Sequence, residues 1–463
     1  MNLLSELLAI NWSSVGLQAA QLILSLSILV VLHELGHFVP AKFFKCRVEK
    51  FYLFFDPWFS LFKKKVGDTE YGVGWLPLGG YVKISGMVDE SMDKEQMKQP
   101  PKEWEFRSKP AWQRLIIMIG GVTVNVLLAF VIYAMILFTW GETRLPMKNV
   151  TDGVWVTDSL AIEIGLKSGD KILAVNDKPV DYFENLNAQL LLGENNITVE
   201  RDGQQQRLDI PVDLIGRLVE HGRRNPLVLP RIPSLVGEVP DSTNARSAGL
   251  KVKDRIVGID SMEVKYHDQI RPILQDKKGQ TVQLTVLRND KRVSMPVKVS
   301  GDGTIGFFPM MPGLNDLKGM NIYEFEHKEY GFFSAFPAGV RLAIEKLDNY
   351  VQQFKKILNP STGAYKGIGG FKSMGSIFPK YEWNWEAFWN ITAFFSIVLA
   401  FMNLLPIPAL DGGHVIFTLY EMITGRKPNE KFLEYAQVVG MIILFGLLLY
   451  ANGNDWFGWG KGK

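Results

Sequence analysis

Four long apolar runs divide this chain, and they constrain its fold more than any other feature. They cover about residues 15–38, 115–140, 387–405 and 438–450. A helix of roughly 20 apolar residues crosses about 30 Å of hydrocarbon while satisfying its own backbone hydrogen bonds. The second run meets that length easily. The first and third meet it with polar insertions, and the fourth needs a few residues upstream. The expected fold class is a polytopic α-helical membrane protein with four transmembrane helices. Charge is dense between the runs, so the overall 47% hydrophobic and 21% charged content averages two populations. Those averages exclude a disordered or collagen-like chain. A net charge of +3 without a basic stripe argues against a nucleic-acid partner. The single cysteine, Cys46, rules out an internal disulfide and a Cys-rich metal site.

Basic residues beside the runs set the orientation. None precedes the first run, where Glu6 and the lack of a small-residue cleavage site before His33 argue against a removed signal peptide. Lys42, Lys45, Arg47, Lys50, Lys63, Lys64 and Lys65 follow it, and Lys98, Lys102, Arg107, Lys109 and Arg114 precede the second. The loop at 40–113 is expected to be cytoplasmic, with both termini and the long insert after the second run outside. Arg426, Lys427 and Lys431 then fall inside, in agreement.

The insert carries a weak repeat. Gly165-Leu166-Lys167-Ser168-Gly169-Asp170-Lys171-Ile172 is matched by Gly249-Leu250-Lys251-Val252-Lys253-Asp254-Arg255-Ile256. Each copy is followed by a strand-like alternation, at 197–201 and 282–288, that ends in a turn. The pattern resembles the PDZ-domain core, and it implies two PDZ-like domains at 144–215 and 229–308 in an α+β region. Such domains take extended chains by strand addition, so they are either docking sites for substrate tails or rigid spacers. Further on, Leu347, Tyr350, Val351, Phe354, Ile357 and Leu358 recur at helical spacing. They predict a helix lying on the membrane or in the core.

His33-Glu34-Leu35-Gly36-His37 carries the sharpest chemistry. Residues i and i+4 share a helix face, so both imidazoles can hold one Zn2+, and Glu34 can approach water beside it. Ionisable groups at the end of a span are costly and are usually functional. Catalytic zinc takes three protein ligands and leaves one position open. His221, His267 and His327 lie in the insert, which leaves Asp411 as the expected third ligand and His414 as its rival. Pro406 and Pro408 break the helix just before Asp411, which suits backbone that lines a cavity.

The zinc motif, the paired repeats and the segment Asn403-Leu404-Leu405-Pro406-Ile407-Pro408-Ala409-Leu410-Asp411-Gly412-Gly413-His414 together resemble the site-2 family of intramembrane zinc metalloproteases, of the bacterial regulator-of-sigma-E-protease type. The resemblance implies that His33, His37 and Asp411 hold zinc, that Glu34 is the catalytic carboxylate, and that Asn403 contacts substrate. The stretch from Gly74 through Leu78 to Lys83 resembles the family's membrane-associated β-loop, so Tyr81, Val82, Lys83 and Ile84 are expected to accept substrate backbone. Gly367-Ile368-Gly369-Gly370-Phe371 departs from the Gly-Pro-Ile-rich stretch of many relatives. The implied setting is the bacterial inner membrane, with termini and PDZ-like domains in the periplasm and the active site towards the cytoplasm. The implied substrates are single-span proteins of the anti-sigma-factor type and remnant signal peptides.

The expected division places the first helix and zinc motif at 1–39, the cytoplasmic loop at 40–113 and the second helix at 114–141. After the PDZ-like pair come an amphipathic helix and linker at 330–386, a third helix with the Asp segment at 387–414, and a fourth helix at 433–451. Rival readings are a membrane-anchored zinc protease acting on soluble or misfolded chains, a PDZ scaffold with a structural metal, and a metal transporter. A transporter calls for more polar residues along the spans than the Thr123 and Asn125 of the second run.

Overall fold

A computed structural model describes residues 11–77, 79–87, 99–192, 196–222, 226–311, 314–320 and 322–460. Glu6, Leu78 and Lys98, used above, lie outside the described residues. The chain divides into two compact units. The first draws on Met1–Glu142, Glu329–Leu358 and Ala364–Lys463; the second on Thr143–Lys328 and Asn359–Gly363.

Among the described residues, the six longest helices of the first unit are α1 (Trp12–Phe43), α2 (Ala111–Trp140), α3 (Phe332–Leu358), α4 (Trp385–Leu404), α5 (Asp411–Thr424) and α6 (Glu430–Phe457). Among the described residues, four helices (α1, α2, α4 and α6) are long and apolar enough to cross a membrane. On α1 the buried positions Leu22, Ser25, Leu29, His33, Gly36 and His37 recur every three or four residues, a single stripe turned inward. Gly36 meets Gly120 of α2 backbone to backbone, leaving no room for a Cβ on either. Small residues of this kind let apolar helices approach closely. The stripe also carries polar contacts: Thr392 of α4 donates to Ser25 at 2.9 Å, and Gln21 donates to the Pro379 carbonyl at 3.0 Å.

The helix foreseen around residues 330–358 is α3, and it packs into the core of this unit. Ala335, Ala338, Gly339 and Ala343 are buried, with Gly339 against Ala134 of α2. Tyr350 and Phe354 set their rings 5.5 and 5.3 Å from that of Phe401 on α4. The fourth run forms a helix of 28 residues, longer than its apolar stretch, because polar residues anchor its end. Asn454 donates to the carbonyls of Lys366 and Ile368, both at 2.8 Å, and Asp455 accepts from Gly370 N–H at 2.8 Å. The glycine-rich segment at 367–371 is thereby fastened to α6.

Between α1 and α2 the chain forms a four-stranded sheet: β1 (Val48–Leu53), β2 (Phe55–Val66), β3 (Thr69–Leu76) and β4 (Tyr81–Ile84). The strand order is β2-β3-β1-β4, so β4 is an edge. It runs antiparallel to β1, with Phe51 opposite Val82 and Tyr52 opposite Tyr81.

The second unit repeats one design twice. Its first sheet holds β5 (Lys171–Val175), β6 (Lys178–Pro179), β7 (Asn196–Arg201) and β8 (Gln204–Asp209), in the order β8-β7-β5-β6. The second holds β9 (Ser234–Glu238), β10 (Arg255–Ile259), β11 (Met262–Glu263), β12 (Thr281–Arg288), β13 (Lys291–Lys298) and β14 (Phe308–Pro309), in the order β13-β12-β10-β9-β14 with β11 also on β10. The repeated motif explains the likeness. Asp170 accepts from Lys167 N–H at 2.8 Å and pairs with Arg201 at 2.7 Å; Asp254 accepts from Lys251 N–H at 2.8 Å and pairs with Arg288 at 2.6 Å. Each arginine also donates to the glycine that opens its motif, Gly165 or Gly249. Each copy closes its own apolar core, one around Ile172, Leu186 and Val199, the other around Ile256, Leu284 and Val297.

Candidate metal centre

The helical spacing of His33 and His37 puts both on one face of α1. Both imidazoles are buried on the inner stripe of α1, their Nε2 atoms 3.3 Å apart. The third apolar run ends where Pro406 and Pro408, lacking N–H groups, cannot continue α4. A turn follows, and Asp411 opens α5. Its Oδ2 lies 3.3 Å from His33 Nε2 and 3.3 Å from His37 Nε2.

These three donor atoms form an equilateral triangle, and that shape is a test. Donors bonded to one four-coordinate zinc at about 2.0–2.1 Å lie about 3.3–3.4 Å apart. Asp411 Oδ2 is also a buried polar atom with no hydrogen-bond partner, which is expensive for a carboxylate unless a cation answers it. The donor set fits zinc on spacing and on charge. Among the described residues, His33, His37 and Asp411 are the group able to hold a metal. His414, the rival ligand, lines the same cavity without joining that triangle, whereas His221, His267 and His327 belong to the second unit.

The surroundings orient both rings. His37 Nδ1 donates to the Ile117 carbonyl at 2.8 Å, which directs Nε2 at the centre. Asn125 of α2 places its amide 3.1 Å from His33 Nδ1, and Ser396 of α4 donates to the Asn125 carbonyl at 2.7 Å. Gly121 lies flat beneath both imidazoles, where a Cβ would strike His37 Nε2 and the His33 ring. Asn403 brings its amide nitrogen to 3.3 Å from His33 Nε2. Sequence reasoning passed over Asn125 as a stray polar residue and did not single out Gly121. An amide and a glycine pair inside an otherwise apolar run were the available signals.

A cavity of about 630 Å³ opens onto the centre, lined by His33, Glu34, His37 and Asp411 and by all four residues of β4. Gly80 brings that edge strand onto α1, where a Cβ would lie 3.5 Å from Glu34 Cγ. The Tyr81 hydroxyl donates to Asp56 at 2.8 Å, and burial with the Asp56 charge drives its pKa far above the ordinary phenol value. Tyr81 is thus a neutral donor on the cavity wall.

A helical His-Glu-x-x-His pair completed by a remote carboxylate, beside a water-accessible cavity, is a donor set of the metallopeptidase kind, here in a chain with four membrane-length helices. Comparison with known proteins makes the class specific. The family model Peptidase family M50 matches residues 21–447, and the chain belongs to that family; it is a metalloprotease. It is similar to the regulator of sigma-E protease RseP of Escherichia coli, 28% identical over 463 residues that cover 94% of this chain and 97% of the relative. The RseP of Salmonella typhimurium is 27% identical over 477 residues, covering 97% and 99%. A protein of Treponema pallidum with a provisional zinc-metalloprotease name is 27% identical over 459 residues, covering 93% and 96%.

Proposed function

We propose that this chain is an intramembrane zinc endopeptidase that cuts transmembrane segments of other membrane proteins. The observation that carries this is the triangle of His33, His37 and Asp411 donors at 3.3 Å, with both histidines on α1, a helix long and apolar enough to cross a membrane, and Asp411 just beyond the end of α4, another such helix. In this reading the three residues hold Zn2+, whose charge acidifies water and polarises a peptide carbonyl. Glu34 takes the water proton and returns it to the leaving amine. Asn403, beside His33, binds the substrate carbonyl or its developing negative charge. A helical substrate must unwind before cleavage, and Tyr81 to Ile84, the edge strand lining the cavity, are placed to accept the freed backbone.

The orientation rests on the lysines and arginines flanking the spans: loop 40–113 cytoplasmic, termini and second unit periplasmic, in a bacterial inner membrane. The two repeated sheets, with matched Asp–Arg clamps, act as PDZ-like domains at 144–215 and 229–308 that screen substrate tails. By likeness to the RseP proteins, the substrates are single-span anti-sigma factors and remnant signal peptides.

The test is a purified Glu34→Gln enzyme with a model transmembrane substrate. We expect cleavage to fall by about 10²–10⁴-fold, the usual weight of a general base, with zinc content unchanged. Cleavage at the wild-type rate removes Glu34 from the chemistry. Cuts mapped to loops of soluble proteins, with apolar segments untouched, overturn the intramembrane reading.

A further inference from the structure

The turn that delivers Asp411 is not held by its own sequence. Leu410 N–H donates to the Ile407 carbonyl at 3.0 Å, closing a four-residue turn with Pro408 second and Ala409 third. Ala409 has φ +83°, so the turn belongs to the type with a left-handed third residue. Glycine is the residue that fits this place, because a Cβ crowds the backbone there. Proline in second place suits this turn and its commoner relative equally; the two differ by rotation of the single peptide joining second and third residues. Local sequence therefore leaves the Pro408–Ala409 peptide free to face either way, with alanine biasing it towards the other.

Helix α6 settles the choice. Ala409 N–H donates to Gln437 Oε1 at 3.1 Å, and Gln437 is 5% exposed. The Pro408 carbonyl oxygen occupies the space where Gly440 lacks a side chain. These are the two polar atoms of one peptide group, gripped by two residues three apart on one helix face. Asp411 follows two residues later.

We propose that Gln437 and Gly440 are positioning residues for the metal centre: by locking the Pro408–Ala409 peptide in its strained orientation, they aim Asp411 at the paired imidazoles. This rests on Asp411 as a zinc ligand.

The experiment uses the zinc-loaded full-length chain in detergent. EDTA is titrated, and retained zinc is read by atomic emission. Gln437→Leu and Gly440→Ala should each lose half their zinc at an EDTA concentration about tenfold lower than wild type, the scale of an outer-shell defect. Gln437→Glu keeps an acceptor oxygen and should hold zinc as wild type does. Ala409→Gly, which removes the strain, should restore zinc retention to Gln437→Leu. Wild-type retention by Gln437→Leu, or no recovery with Ala409→Gly, overturns the proposal. Should Gly440→Ala fail to fold, as judged by thermal melting in excess EDTA, the Gln437→Leu and Ala409→Gly pair decides alone. Asp411→Asn separates the two levels. If it keeps wild-type zinc, the ligand assignment falls; if it loses zinc while Gln437→Leu does not, only the role of α6 falls.

Discussion

Asn125 governs which nitrogen of His33 is free to bind. An imidazole that coordinates through Nε2 carries its proton on Nδ1 and gives it to an acceptor. Asn125 Oδ1 is buried without a partner, while its amide nitrogen sits 3.1 Å from His33 Nδ1. The oxygen and nitrogen of an amide exchange places by a half-turn, and with the oxygen facing the ring both needs are met. Asn125→Leu should weaken zinc binding by about 10–100-fold, read by competition with a chelating dye, whereas Asn125→Asp, still an acceptor, should not. Gly121→Ala should yield a folded protein with little zinc, since the new methyl would displace both rings; wild-type zinc content by atomic emission would contradict this. The contrast with His33 and His37 shows what a sequence discloses. Their pairing depends only on helical pitch. That Asn125 and Gly121 face them depends on where α1 crosses α2, at Gly36 and Gly120, which no local pattern in either run specifies.

At the scale of elements, the break after α4 was legible because prolines cannot donate. The helix beyond it was not: residues 411–414 were counted with the third helix, which ends at Leu404, and 415–424 went unassigned. Helix α5 is short and amphipathic, and it is fixed from outside: Arg114 of α2 meets Glu421 at 2.5 Å, with both side chains nearly buried. Removing one member of such a pair strands the other charge. Arg114→Met should therefore cost about 3 kcal/mol, seen as a lower thermal midpoint and earlier zinc loss, because α5 begins with Asp411. Arg114→Met combined with Glu421→Leu should recover most of that loss, since an apolar pair can replace a buried ion pair. A double variant no better than the single one would mean the salt bridge does not hold α5. The repeat in the second unit was legible for the opposite reason. Its Asp–Arg clamps join residues that the sequence already set in register, Asp170 with the end of the strand at Arg201 and Asp254 with Arg288. The sheet between α1 and α2 was only half visible, because lysines and exposed aromatics on β2 mask its alternation.

Across the whole molecule, the two units should answer to different conditions, because the candidate metal ligands lie in the first and the buried His267 lies in the second. All three candidate zinc donors belong to the first unit, so EDTA should increase amide exchange in α1, α2 and α5 and leave residues 143–328 unchanged. The second unit holds His267, whose ring lies between Trp155 and Phe307 and hydrogen-bonds Ser234 at 3.0 Å. Burial lowers its pKa below the ordinary 6.5, and the adjacent Asp268 offsets only part of that. The folded ring refuses a proton that the unfolded chain accepts, so its contribution is complete above about pH 6.5 and is lost as pH falls through the lower folded value. Exchange in the 229–308 repeat should accordingly rise between about pH 6.5 and pH 5, after correction for intrinsic rates, and His267→Gln should flatten that rise. EDTA should not mimic it. An acid response that survives in His267→Gln would assign the effect to other groups, and an EDTA response in the second unit would show that the metal's influence extends beyond the helices that bind it.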